Sequence, residues 1–263
     1  MSKSDPLEGP LLKIQRADQH IDNLERALQA FRDDNPYTIG RTHDHNTQRL
    51  FFFFENCKPL APEFSILVGE ALYQLRSSLD YLVWQLFVKD RIAPPPKSGF
   101  PIFTTPQGYK ARAGTMIKGI GAGASKRIES FQPFQSAKPH TEHPLWVLQE
   151  LNNTDKHRLL IVARAIVSFR TTVEVRMKLD AFDVARKQVR FSPNLRTPLI
   201  IEDGTQLGSI LTDNPEKEVD FKFATEIAIK EVALTKDYAA LPLLKQLSRY
   251  VGAAVKSFKP DFS

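Results

Sequence analysis

Between positions 11 and 31 the apolar residues Leu11, Ile14, Ala17, Ile21, Leu24, Leu28 and Phe31 recur at steps of three and four, which lays one apolar stripe along a helix. Asn35-Pro36 ends that helix, because a residue before proline is pushed out of the α region. The charged-flanked run at 49–55, RLFFFFE, is short, aromatic and without alternation, which predicts a strand covered on both faces. Pro62 suits a first helical turn, and 63–90 then reads as one long, largely buried helix stopped by Pro94, Pro95 and Pro96. Gly, Pro and Ser recur through 97–139, so loop is expected there, with a short helix at 124–131. Pro144 opens a further helix, expected over 144–167.

After Ser168 the period drops to two. Val173, Val175, Met177 and Leu179 alternate with Glu174, Arg176 and Lys178, and over 218–230 Val219, Phe221, Phe223, Ile227 and Ile229 oppose Asp220, Lys222, Glu226 and Lys230. Shorter strands are expected at 188–191 and 199–202, with Asp203-Gly204 as turn chemistry. One-sided alternation implies an antiparallel sheet with one wet face. Leu241, Leu244, Leu247, Val251 and Val255 define a C-terminal helix over 240–257. The fold class is therefore α+β: a helical part over 1–168, a β-rich part over 169–235 and the terminal helix, packed as a single domain over 1–263.

Composition narrows the class further. A chain of 263 residues with 42% hydrophobic and 25% charged residues buries a full core without disulfides or structural metal. The single Cys57 cannot close an intramolecular disulfide, which suits a reducing compartment. The opening MSKSDPLEGP lacks the apolar centre of a signal peptide and no stretch approaches a membrane span, so a cytoplasmic location and no membrane partner are expected. The net charge of +6 is a small excess, concentrated at 107–127, where Lys110, Arg112, Lys118, Lys126 and Arg127 stand with no acid. With Gly119, Gly121 and Gly123 beside them, these residues read as a loop able to touch phosphate, although the GK[ST] ending of a P-loop is missing. The 18 Phe are assigned to packing at the junction of helices and sheet.

Chemistry concentrates where charge is set into apolar helices. Arg76 and Asp80 are four apart among Leu72, Leu75, Leu79, Leu82 and Val83, with Tyr73 on the same side. Charges in such surroundings pair or face a polar cavity. One reading is an intrahelical pair; the other points both at the polar block Asn152-Asn153-Thr154-Asp155-Lys156-His157-Arg158. Asp155 with Arg76 and Asp80 with Arg158 then make a crossed, charge-balanced network between two helices. His157 titrates near neutrality and can serve as acid or base, with Lys156, Asn153, Tyr73, Lys118 and Arg127 as ligand contacts. His140 and His143 converge with Asp155 or His157 in a metal-site reading, and His43 and His45 offer a weaker pair. No GxSxG, HExxH, EF-hand or Rossmann fingerprint occurs.

The segments GEALYQLRSSLDYLVWQL, FPIF, IESFQPF and LQELNNTDKHRLL, in this order from Gly69 to Leu160, resemble a widespread group of bacterial proteins of unknown function. That resemblance implies weight on Arg76, Asp80, Gln132, Pro133, Asp155, Lys156, His157 and Arg158, and implies no reaction. A more remote similarity is to HEPN helical domains, many of which cleave RNA with an Arg and a following His on one helix. Arg16 and His20, with three residues between them, stand closer than that pattern sets, and in the DKHR block His precedes Arg. What this similarity implies is helical packing.

Three functions compete on this reading. The first expectation is an interaction or structural protein in which the Arg/Asp/His network fixes helix register. The second is a protein that binds or cleaves RNA, or holds a phosphate-bearing ligand, through Arg76, Asp80, Asp155, His157 and Arg158. The third is a metal-dependent hydrolase. No cofactor is implied, and a second copy of the chain stands among the partners considered.

Overall fold

The computed structural model describes residues 5–160, 162–166, 174–177, 189–191, 199–214, 216, 219–222, 225–231, 234 and 238–262. The fold is α+β, with every paired strand antiparallel among the described residues. Helix α1 (Glu8–Asp33) carries its stripe Ile14, Ala17, Ile21, Leu24 and Leu28 into the core. It stops at Asn35, whose φ of 46° lies in the left-handed region, just before Pro36. Helix α2 (Glu63–Asp90) runs antiparallel to α1, since its Ser78 hydroxyl donates to the Pro10 carbonyl at one end and its Glu70 meets His20 at the other. It is buried along most of its length, covered by α1, by α5 (Pro144–Asp155) and by α6 (Ala240–Ser257). Their apolar faces share one core, to which Ile227, Ile229 and Leu160 also belong.

Between α1 and α2 lies a hairpin of β1 (Thr38–Asp44) and β2 (Arg49–Glu55). The Phe run does alternate: Leu50, Phe52 and Phe54 are buried, while Phe51 and Phe53 are half-buried on the other face, their rings stacked at 6.4 Å. The expected two-sided strand is thus one-sided, because only one face meets the small second core of Ile201, Leu207 and Ile210. The hairpin adds β1 ahead of the strand expected over 49–55.

Helix α3 (Pro106–Met116) and helix α4 (Ala122–Ser130) occupy most of the basic 107–127 segment, which is therefore not a loop. Thr105 caps α3 by accepting from the Gly108 amide, with Pro106 at the first helical position. The helix expected over 144–167 ends at Asp155. A turn follows, and β3 (Val162–Ile166) pairs with β9 (Thr225–Ile229). The β-branched residues after Leu160 favour the strand, and the sheet partner decides it.

Beyond β3 come β4 (Glu174–Met177), β5 (Val189–Phe191), β6 (Leu199–Ile200), β7 (Gln206–Leu211), β8 (Val219–Lys222) and β10 (Tyr238–Ala239). Three sheets result, ordered β1-β2-β7-β5, β10-β9-β3-β6 and β4-β8. The single strand expected over 218–230 is split, β8 pairing with β4 and β9 with β3 and β10. Val173, Leu179, Gln188 and Phe223, assigned to strands from the sequence, lie outside the described residues. Helix α6 spans 240–257 as expected. No described helix is long and apolar enough to cross a membrane.

Candidate functional site

The crossed network between Arg76, Asp80, Asp155 and Arg158 does not form. Arg76 and Asp80 pair with each other along α2 at 2.9 Å. Each then takes one backbone group of the same residue: the Arg76 guanidinium donates to the Phe100 carbonyl at 2.8 Å, and the Phe100 amide donates to Asp80 at 2.8 Å. Burial pushes the Arg76 guanidinium down from its ordinary pKa, and the Asp80 charge opposes that shift. Gln132, fully buried, continues the clamp. Its amide donates to the Pro101 and Ile128 carbonyls at 2.8 and 3.0 Å, and its carbonyl accepts from the Phe103 amide at 3.0 Å. An irregular segment with no ladder of its own must satisfy its backbone through side chains. Arg76, Asp80 and Gln132 do that for the Phe100-Pro101-Ile102-Phe103 strap.

Arg158 reaches away from α2. Its guanidinium holds the buried Glu231 in a two-pronged pair, 2.7 and 3.2 Å, and so ties the end of α5 to the chain after β9. Arg127 is likewise committed, to Asp261 at 2.7 Å. Lys118, Lys156, Asn153 and His157 are exposed and do not converge. His143 is buried as the cap of α5: its Nδ1 accepts from the Leu145 amide, which leaves Nε2 to donate to the Tyr250 hydroxyl at 3.3 Å. His140 lies edge-on to Trp146. Among the described residues no three His, Cys, Asp or Glu side chains cluster to hold a metal ion.

Two sequence-predicted residues do meet in a cavity. A solvent-open cleft of about 470 Å³ runs between α1, the N-terminal half of α2 and the end of α5. Tyr73 and Asp155 line it with Arg16, His20, Glu70 and Gln74, and Ile66, Gly69 and Leu159 complete the wall. His20, only 6% exposed, sets Nδ1 2.9 Å from the Glu70 carboxylate. The Oε1 of Gln74 is buried without a hydrogen-bond partner. Gly69 makes room for Asp155: a Cβ at that position would overlap the Asp155 carboxylate.

Asp155 has no cation beside it among the described residues. It closes α5 at the negative end of the helix dipole, with Glu70 across the cleft. Burial first, and then Glu70, raise its carboxyl above the ordinary range. A carboxyl whose folded pKa is raised stabilises the fold while protonated, and that contribution is lost as pH rises from the ordinary carboxylate range through the raised value. Asp155→Asn is therefore expected to raise the melting temperature at neutral pH, with the gain shrinking towards zero as the buffer is acidified below pH about 4. Melting curves across that range check it; a strong loss of stability in Asp155→Asn at pH 7 would restore the paired, buried-charge reading that the sequence suggested.

The cleft is rich in acceptors and anionic, so it favours donors and cations over phosphate. Its other polar members were not read as site residues from the sequence, where Arg16 and His20 stood only as a pair set closer than the HEPN pattern. Their signals were faint: His20 falls one residue off the α1 stripe beside Ala17, Ile21 and Leu24, and Glu70 is an isolated acid in SILVGEALYQL. No family model, curated protein or solved structure matches this chain.

Proposed function

We propose that this protein works by holding a partner, as an interaction protein, rather than by turning over a substrate. The observation that carries this reading is the commitment of the charged motif to the fold. Arg76 and Asp80 are spent on the Phe100 backbone and Arg158 on Glu231, so none of them is left to grip a scissile phosphate. His157 stands exposed on the turn after α5 and is not among the residues that line the cleft. General acid–base work needs a proton-transfer group within hydrogen-bond reach of a positioned substrate, and nothing positions one there. What the molecule does offer is surface: the anionic cleft and, continuous with it, exposed apolar residues along α2.

Incubation of the purified chain with end-labelled single-stranded and hairpin RNA separates this reading from the RNA-directed one. Neither cleavage nor salt-sensitive retention of RNA is expected for the wild type. Cleavage that disappears in His157→Ala would overturn the proposal in favour of a nuclease.

A further inference from the structure

Helix α2 is the central helix of the fold, yet one of its faces is uncovered. Of the seven large hydrophobic residues exposed among the described residues, five lie on it: Ile66, Tyr73, Tyr81, Trp84 and Val88, each 45–56% exposed. Their spacing sets them on a single stripe of the helix, together with the exposed Glu63 and Glu70 near its start, the half-buried Ser77 at its middle and Arg91 at its end. Acids occupy the first half of that stripe and the cation its end, with apolar residues spread along both halves.

That order is self-complementary. Laid antiparallel on an identical helix with Ser77 on the two-fold axis, the stripe matches Glu63 with Arg91, Ile66 with Val88, Glu70 with Trp84 and Tyr73 with Tyr81. Ile66 and Tyr73 meet the apolar Val88 and Tyr81, Trp84 meets Glu70, opposite charges meet at both ends, and a small side chain sits where the helices cross most closely. An isologous interface requires this reciprocity of every pair. The cleft strengthens the match. Trp84 lies opposite Glu70, at the mouth of a cavity whose Asp155 carboxylate and Gln74 Oε1 have no donor among the described residues, and an indole N–H is a donor on an aromatic body. Neither Glu63 nor Arg91 is engaged in an ion pair among the described residues.

We infer that the partner of this face is a second copy of the chain, joined through antiparallel α2 helices about Ser77, with Trp84 of each subunit seated over the cleft of the other. The inference rests on the interaction reading and gives it a partner. Isologous pairs of this kind are the commonest closed assembly of soluble chains. The interface centre is aromatic and its ends are charged, the distribution found in stable interfaces.

Sedimentation equilibrium of the full chain at micromolar concentration is the test. Wild type is expected at twice the chain mass. Ser77→Lys, which brings two ammonium groups together at the axis, is expected at the single mass with an unchanged circular-dichroism spectrum. Glu63→Arg and Arg91→Glu should each weaken association about tenfold, and the double variant should regain it, a rescue that mere misfolding cannot mimic. A monomeric wild type, or a dimer indifferent to Ser77→Lys, overturns the inference and leaves α2 to a different protein. So does a failure of the charge swap to rescue. The RNA assay judges the interaction reading separately, so the two can fail independently.

Discussion

Gln132→Ala is expected to destabilise the fold by about 3 kcal/mol, from the two or three buried backbone groups it leaves without partners. Phe103 N–H, the Pro101 carbonyl and one lone pair on the Ile128 carbonyl all lose a bond to a fully buried side chain, and the two carbonyls lie where water does not readily replace it. In a chain of this length that corresponds to a fall in melting temperature of roughly 6–12 °C. Urea unfolding should show the midpoint falling with little change in slope, since the surface exposed on unfolding is unaltered. Gln132→Glu sharpens the test. The carboxylate can still accept from Phe103 N–H, but its second oxygen faces the Pro101 and Ile128 carbonyls where the amide donated. Destabilisation at neutral pH, partly relieved by acid, is the expected signature; an unchanged midpoint in both variants would mean that Gln132 does not hold the strap.

Arg76→Ala is expected to cost a similar amount, about 2–3 kcal/mol, for a different reason. The guanidinium is largely buried at 13% side-chain exposure, whereas its partner Asp80 is 43% exposed. Removing Arg76 orphans the Phe100 carbonyl and empties the volume of its stem, while Asp80 can still turn to water. Asp80→Asn should therefore be the milder change, because an amide oxygen can go on accepting from the Phe100 amide. Arg76→Met, which refills the stem but supplies no donor, should fall between them. Because Arg76 and Gln132 fasten consecutive residues of one strap, the double variant Arg76→Ala/Gln132→Ala should cost less than the sum of the two. Full additivity in the same urea experiment would show that the two ends of the strap are held independently.

Elements with strong local signals were legible in the sequence. The terminal helix over 240–257 and the strand over 49–55 have their predicted ends, because amphipathic spacing and flanking charges mark them locally. Strand β7 was not anticipated. Its QLGSIL holds Gly208 and Ser209 at its centre, and its extended state comes from β2 on one side and β5 on the other, both distant in sequence. Helix α5 was read too long because the apolar pattern continues past Asp155, where only pairing with β9 distinguishes strand from helix. The embedded charges were located correctly, and of the two readings of Arg76 and Asp80 the intrahelical pair is the one that forms, while the crossed partners between helices do not. Arg76 and Asp80 bind main-chain atoms of Phe100, and a backbone carbonyl leaves no trace in residue identity. Glu231, the partner of Arg158, lies 73 residues further on and outside any recognisable motif. Tyr73 and Asp155 were the two candidates that proved to share a cavity, and the histidine of that cavity, His20, comes from a helix where the sequence offered it only beside Arg16, as a pair set closer than the HEPN pattern.

The place of the Phe run in the chain has a consequence for how the protein must emerge from the ribosome. Its β1 neighbour is made just before it, so a hairpin can close at once, but β7, which covers its other edge, is synthesised well over a hundred residues later. Until then the nascent chain carries an aromatic strand with an open edge, the kind of segment that recruits other chains. Arg49 and Glu55, the charges at its two ends, stand as gatekeepers through that interval. Loss of either one is a hazard of biosynthesis, separate from the bond that Arg49 donates to the Ser209 hydroxyl in the finished fold.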